Sequence, residues 1–195
     1  MPRRRSSLLT AGVILVACAA TAGALTLSAN RQAAHEASRA SAPPTLEPSG
    51  VAPFRLGEAL EPAAALALIH DRAAAQIGPG CDERDQVTVV LPVAERPLTV
   101  MAMADPHGMI EEIIAMPDSV AGQIDAAACK QRALDHAREL ETTLGIASPP
   151  EVRRLPVSDE YHIRFNPHAT LIARWFAGGR SCDLALHFID PSHGD

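Results

Sequence analysis

The chain has 195 residues with 17 basic against 23 acidic, and aromatics are scarce: one Trp, one Tyr and four Phe. That length holds one ordinary domain plus extra segments, and its core must be built from Leu, Ile, Val, Met and Ala. From Val51 onward 21 acidic residues outnumber 12 basic ones, a charge of −9 that argues against nucleic-acid binding, and the single lysine, Lys130, sits in no GxxxxGK[ST] phosphate loop.

The chain opens on an expected export segment. Arg3, Arg4 and Arg5 precede a run of 22 uncharged residues, 8–29. At about 1.5 Å per residue, a helix over that run matches roughly 30 Å of bilayer hydrocarbon. The cationic start places the N-terminus in the cytoplasm. The expected location is therefore the cell inner membrane, as a single-pass signal anchor with the following domain in the periplasm. Leu15-Val16-Ala17-Cys18 resembles the lipobox of bacterial lipoproteins, which implies an alternative in which cleavage before Cys18 leaves a lipid anchor on it. Cleavage at a small-residue site near Ala24 or Ala29 is a third reading. Arg4-Arg5 is similar to a twin-arginine signal, although Ser7 departs from that pattern. Residues 30–57 are rich in Ala, Ser and Pro and read as a linker that would span on the order of 30 Å as a flexible coil.

An exported α+β domain is expected over 58–190, followed by a disordered tail at 191–195. Strong helix formers predict a first helix over 58–77, with Pro62 in its first turn and Gly78-Pro79-Gly80 as its stop. Strands are predicted at 86–91, 98–104 and 109–116, separated by turn chemistry at 92–97 and 105–108. A second helix over 119–144 opens at Asp118 or Ser119 and stops at Gly145. After Pro149-Pro150 come strands at 161–165, 170–177 and 182–189, the last two joined through Gly178-Gly179-Arg180. The order α-β-β-β-α-β-β-β favours an antiparallel sheet covered by helices, with two helix-plus-meander units as a candidate structural duplication. The first unit, with Asp105-x-x-Gly108-x-Ile110, resembles PepSY-type modules of exported proteins; the resemblance covers this unit alone and implies no activity for the chain.

Beyond Cys18 the cysteines are Cys81, Cys129 and Cys182. Alternation puts Cys182 on the face of Leu184, Leu186 and Phe188, and Cys129 lies at the edge of an apolar helix arc. These faces favour a Cys129–Cys182 disulfide in an oxidising compartment. Pairs through Cys81, or two reduced buried thiols, remain open.

No nucleophile elbow, HExxH, CxxC or dinucleotide fingerprint occurs. No catalytic residue, metal or cofactor is assigned. A zinc site would have to draw on Asp183, His187, His162 and His168, none at helical ligand spacing, and exposed strand histidines are the plainer reading. Glu111 and Glu112 are adjacent on a strand, so they are expected on opposite faces rather than paired. The candidate binding residues are His162, Arg164, Arg174 and His187, which alternation places on one sheet face as a cationic spot suited to a carboxylate or phosphate. The function expected is a membrane-tethered, non-enzymatic domain that binds a protein or envelope component. The alternatives are a small metal-assisted hydrolase of the envelope and a lipoprotein assembly factor or inhibitor.

Overall fold

The computed structural model describes residues 42–71, 76–117 and 124–191. The expected export segment, and the expected tail apart from Pro191, lie outside these residues. Among the described residues no helix is long and apolar enough to cross a membrane. The chain divides into two compact units, Met1–Ala42 and Pro43–Asp195, and every described helix and strand belongs to the second.

Three short strands come first: β1 (Leu46–Glu47), β2 (Gly50–Val51) and β3 (Phe54–Arg55), paired in that order as a small antiparallel sheet. They occupy the second half of the expected linker. Val51 and Phe54 are fully buried and belong to the core. The Ala/Ser/Pro composition hides them because two-residue strands show no periodicity; three apolar side chains and a bidentate Arg55–Glu47 ion pair are enough to fold them onto the domain.

Helix α1 (Leu60–Ala67) comes next and buries Leu60, Ala63, Ala64 and Ala67. It is shorter than the 58–77 expected, since three turn residues succeed Ala67. Strands β4 (Gly78–Pro79), β5 (Asp85–Val93), β6 (Arg96–Ala104) and β7 (Ile110–Pro117) form an antiparallel meander. Pro92 and Pro97 lie within the ladder, paired with each other, so the β5–β6 turn shrinks to Ala94 and Glu95, both at positive φ. Between β6 and β7, Asp105 Oδ1 accepts from the amides of His107 and Met109 at 2.8 and 2.9 Å, closing the turn chemistry expected there.

Helix α2 (Ala126–Leu144) is capped by Asp125, whose side chain accepts from the Ala128 amide at 2.8 Å, and it ends at Gly145 with φ 101°. The expected openers Asp118 and Ser119 lie outside the described residues. Its buried stripe is Cys129, Ala133, Ala137 and Leu144. The small alanines let the helix axis lie close to the strands beneath. A second meander closes the fold: β8 (Glu151–Arg154), β9 (Ser158–Arg164), β10 (Ala169–Phe176) and β11 (Ser181–Ile189). Strand β8 is an addition to the expected elements, because Glu-Val-Arg-Arg has no alternating pattern and every residue in it is exposed.

The two meanders join through β7 and β11 into one eight-stranded antiparallel sheet, ordered β4-β5-β6-β7-β11-β10-β9-β8. Each half is a helix followed by four strands in chain order, so the topology repeats about the central β7·β11 pair. Register puts Val87, Val89, Leu91, Val100, Ala102, Ile113, Ala115, Phe188, Leu186, Leu171 and Ile163 on one face, and all are buried. α1, α2 and the β1–β3 sheet cover that face. Its opposite carries no second layer among the described residues. The architecture is thus α+β with two helices over a large antiparallel sheet.

Candidate functional site: an amphipathic cleft and a charged open face

Cys129 of α2 and Cys182 of β11 form a disulfide, with Cα atoms 5.6 Å apart. Cys81 is free and exposed. The bridge fastens α2 over the β10–β11 pair. At the start of that helix Trp175 Nε1 donates to the Ile124 carbonyl at 2.9 Å and the Tyr161 hydroxyl donates to the Ala126 carbonyl at 3.2 Å. The helix is thus held at its N-terminal end, and at its other end Asn166 Nδ2 donates to the Leu144 carbonyl at 3.1 Å.

The four candidate binding residues all fall on the open face. In the β9–β10–β11 register, Arg164, Thr170 and His187 share one row and Ile172 and His162 the next, with Arg174 opposite Glu160. Carboxylates come with them. Glu160 accepts from Arg174 Nε at 2.5 Å and lies 2.9 Å from His162 Nε2. The hydrogen bond from His162 outweighs the desolvation that opposes it, and with Arg174 holds the Glu160 carboxyl below its usual value. His187 Nε2 stands 2.6 Å from Glu112 Oε1, a residue that also faces Arg84 at 2.7 Å. Burial pushes the Glu112 carboxyl up, but His187 and Arg84 together bring it below its ordinary value. Arg164 is exposed, and its amide donates to Ser148 Oγ at 3.0 Å. Three of the four candidate residues are thus already partnered by carboxylates within the fold.

Glu111 and Glu112 depart from the expected strand geometry. A register shift between Met103 and Ala104 breaks the alternation opposite them. Both carboxylates reach the guanidinium of Arg84, at 2.9 and 2.7 Å, and Arg84 also donates to Asp82. Hydrogen bonding to Glu111 outweighs the desolvation of Arg84, and Glu112 and Asp82 raise it further above its already high value. The pair is a structural clasp from β7 to the β4–β5 turn. Among the described residues no three His, Cys, Asp or Glu side chains are grouped to hold a metal ion. Of the expected ligand set, Asp183 pairs in register with Arg174, while His168 lies in the β9–β10 turn.

A second region lies on the covered face, away from every candidate residue of the sequence analysis. A cavity of about 400 Å³ opens between α2 and strands β6, β7 and β11, lined by Arg96, Pro97, Pro117, Arg132, Asp135, His136, Glu139 and Leu184. It shares Arg96, Pro97, Pro117 and His136 with a smaller, more enclosed pocket of about 130 Å³ that is further lined by Leu46, Val93, Leu98, Ala115, Leu140 and Leu186. Together they make one cleft with a polar mouth and an apolar end. Asp135 is engaged from outside by Arg138 at 2.6 Å and Gln131 at 2.9 Å. Glu139 lies 3.4 Å from His136 and 3.9 Å from Arg96. Arg132 is half-buried and forms no hydrogen bond or ion pair among the described residues.

The sequence holds a partial sign of this cleft. Arg132, His136 and Leu140 recur at i,i+4 spacing beside the buried stripe of α2, so they share one helix flank. Nothing local could bring Arg96, from the tip of the first meander, to the same mouth.

No protein-family model, curated protein or solved structure matches this chain.

Proposed function

We propose that this chain is an extracytoplasmic binding domain, tethered to the membrane through its N-terminal segment and non-enzymatic, which holds an envelope component in the cleft beside α2. The observation that carries the binding part is the cleft itself: an apolar chamber of core-facing leucines that opens past two arginines. Ligand sites are typically concave and mainly apolar, with a few polar groups that fix orientation. The open face supports binding less well, since an anion reaching His162, Arg174 or His187 would have to displace Glu160 or Glu112. The tether rests on the cationic start and the charge-free run at 8–29.

Hydrogen exchange tests the reading. The full chain is placed in lipid nanodiscs, with and without an extract of the envelope of the cells that make it. Slowed exchange in α2 and at 96–98 is the expected result. Protection confined to β8–β10, or none at all, would move the function away from the cleft.

A further inference from the structure

The residues of the cleft also specify a class of ligand, an inference that rests on the binding role proposed above. A guanidinium that is half-buried and unpaired is costly, because desolvation weakens its hydration and no carboxylate replaces the lost water. Among the described residues Arg132 is in that position. Its neighbour at the mouth, Arg96, is 81 % exposed and meets Glu139 only at 3.9 Å, so its charge is free to turn inward. Asp135 and Glu139 line the same cavity and would repel a doubly charged group, which favours a ligand carrying a single negative charge. Behind the mouth, Leu46, Val93, Leu98, Leu140 and Leu186 offer no polar side chain, and they suit a hydrocarbon chain.

We infer that the cleft binds a single-chain fatty carboxylate, its head held by Arg132 and Arg96 and its chain inserted between Leu46, Leu140 and Leu186. Planar guanidinium groups match a carboxylate through paired N–H donors, a geometry that lysine does not offer. The affinity is divided accordingly. Apolar burial draws in the chain, and the arginines discriminate the acid from an uncharged amphiphile of equal length.

Photolabelling tests this on the full chain in nanodiscs. The probes are a medium-chain fatty acid, whose terminal segment of about six carbons matches the 130 Å³ apolar end, carrying a diazirine near its terminal carbon, and the matching fatty alcohol, with crosslinked peptides mapped by mass spectrometry. The acid should label peptides containing Leu98, Leu140 or Leu186, and the alcohol should label them far less. Arg132→Ala should reduce labelling by the acid about ten- to a hundredfold, with a smaller loss for Arg96→Ala and partial recovery in Arg132→Lys. Leu140→Trp, which fills the apolar end, should abolish labelling by both probes, with non-reducing mass analysis of the Cys129–Cys182 bridge as the check on folding. Equal labelling by acid and alcohol, unaffected by Arg132→Ala, would overturn the anionic head while leaving an apolar binding cleft in place. Failure of both probes to label these peptides would overturn the ligand class, and the cleft as the binding site falls with it only if envelope extract also leaves exchange in α2 and at 96–98 unchanged.

Discussion

Cys129 and Cys182 lie 53 residues apart in sequence and 5.6 Å apart between Cα atoms, joining the middle of the covered face to the helix above it. The bridge closes a loop that contains most of α2 and the three strands β8, β9 and β10. In the chain-entropy estimate such a loop contributes about 4 kcal/mol by restricting the unfolded ensemble. Replacing both cysteines by alanine should therefore lower the unfolding free energy by roughly that amount, read as a shift in the urea midpoint. A change below about 1 kcal/mol would show that the packing of Ala133 and Ala137 alone secures the helix.

The residues 43–57 make a sharper test of where the domain begins. Gly50 has φ 155°, and a Cβ there would stand 2.4 Å from the Phe54 carbonyl oxygen and 2.9 Å from Ile113 Cδ1. The first of these is backbone and cannot swing aside. Gly50→Ala should cost about 2 kcal/mol or more, measured as a drop in thermal midpoint. A neutral result would mean that β1–β3 do not contribute to the cooperative unit.

The β5–β6 hairpin should be open to improvement. Ala94 and Glu95 sit at φ 48° and 65°, a left-handed pair that L-residues other than Asn and Gly adopt at a cost. Substituting Asn at 94 and Gly at 95 should stabilise the protein by about 1 kcal/mol. Arg96 comes directly after, so a tighter turn should leave the cleft mouth in place. If denaturation instead moved to lower urea, the turn would not be the two-residue left-handed type.

Acid should weaken the sheet at its two ion clusters. Glu112 and Glu160 have carboxyls held below the ordinary 4.5 in the folded state. Groups lowered on folding contribute stability that is fully present above their unfolded value and is lost as pH falls through the folded one. Stability should thus decline as pH drops below about 4.5. The double variant Glu112→Gln, Glu160→Gln should be less stable at neutral pH yet flatter between about pH 5 and pH 3. Parallel pH profiles for the two proteins would exclude these carboxylates as the source.

Much of this architecture is visible in residue order, and the exceptions have physical causes. Strands β5, β10 and β11 alternate buried and exposed residues because one face is covered and the other is not, so the period of two is written into Val87-Val89-Leu91 and Cys182-Leu184-Leu186-Phe188. The disulfide follows from the same alternation combined with the helix arc of Cys129. Strand β8 is an edge defined by backbone ladders to β9, and backbone pairing leaves no mark on Glu-Val-Arg-Arg. The convergence of Glu111 and Glu112 depends on a register shift in the partner strand, which no property of the two glutamates announces. The cationic spot rests on Arg and His positions alone. Glu160 sits two residues before His162 on the same face, so its neutralising role is accessible to the same alternation rule. Arg96 joins Arg132 only because the first meander is paired beside the second through β7·β11, a long-range relation beyond local pattern.

The start of α2 offers the most direct test of how the helix is held over the cleft. Asp125 caps it through the Ala128 amide, and Trp175, the chain's single tryptophan, donates to the carbonyl of Ile124. Both contacts fix one turn: the first satisfies an amide of the opening helix, the second anchors the residue just before the cap to β10. Asp125→Ala should cost about 1 kcal/mol, and Trp175→Phe a similar amount for the lost indole hydrogen bond. Because either loss frees the same turn, the double variant should lose less than the sum of the two by about 0.5 kcal/mol or more. Far-UV circular dichroism through a urea titration reads all four proteins of the cycle without relying on the tryptophan. Strict additivity would mean that the cap and the indole act on separate elements, and α2 would then owe its placement to the disulfide and its alanine stripe.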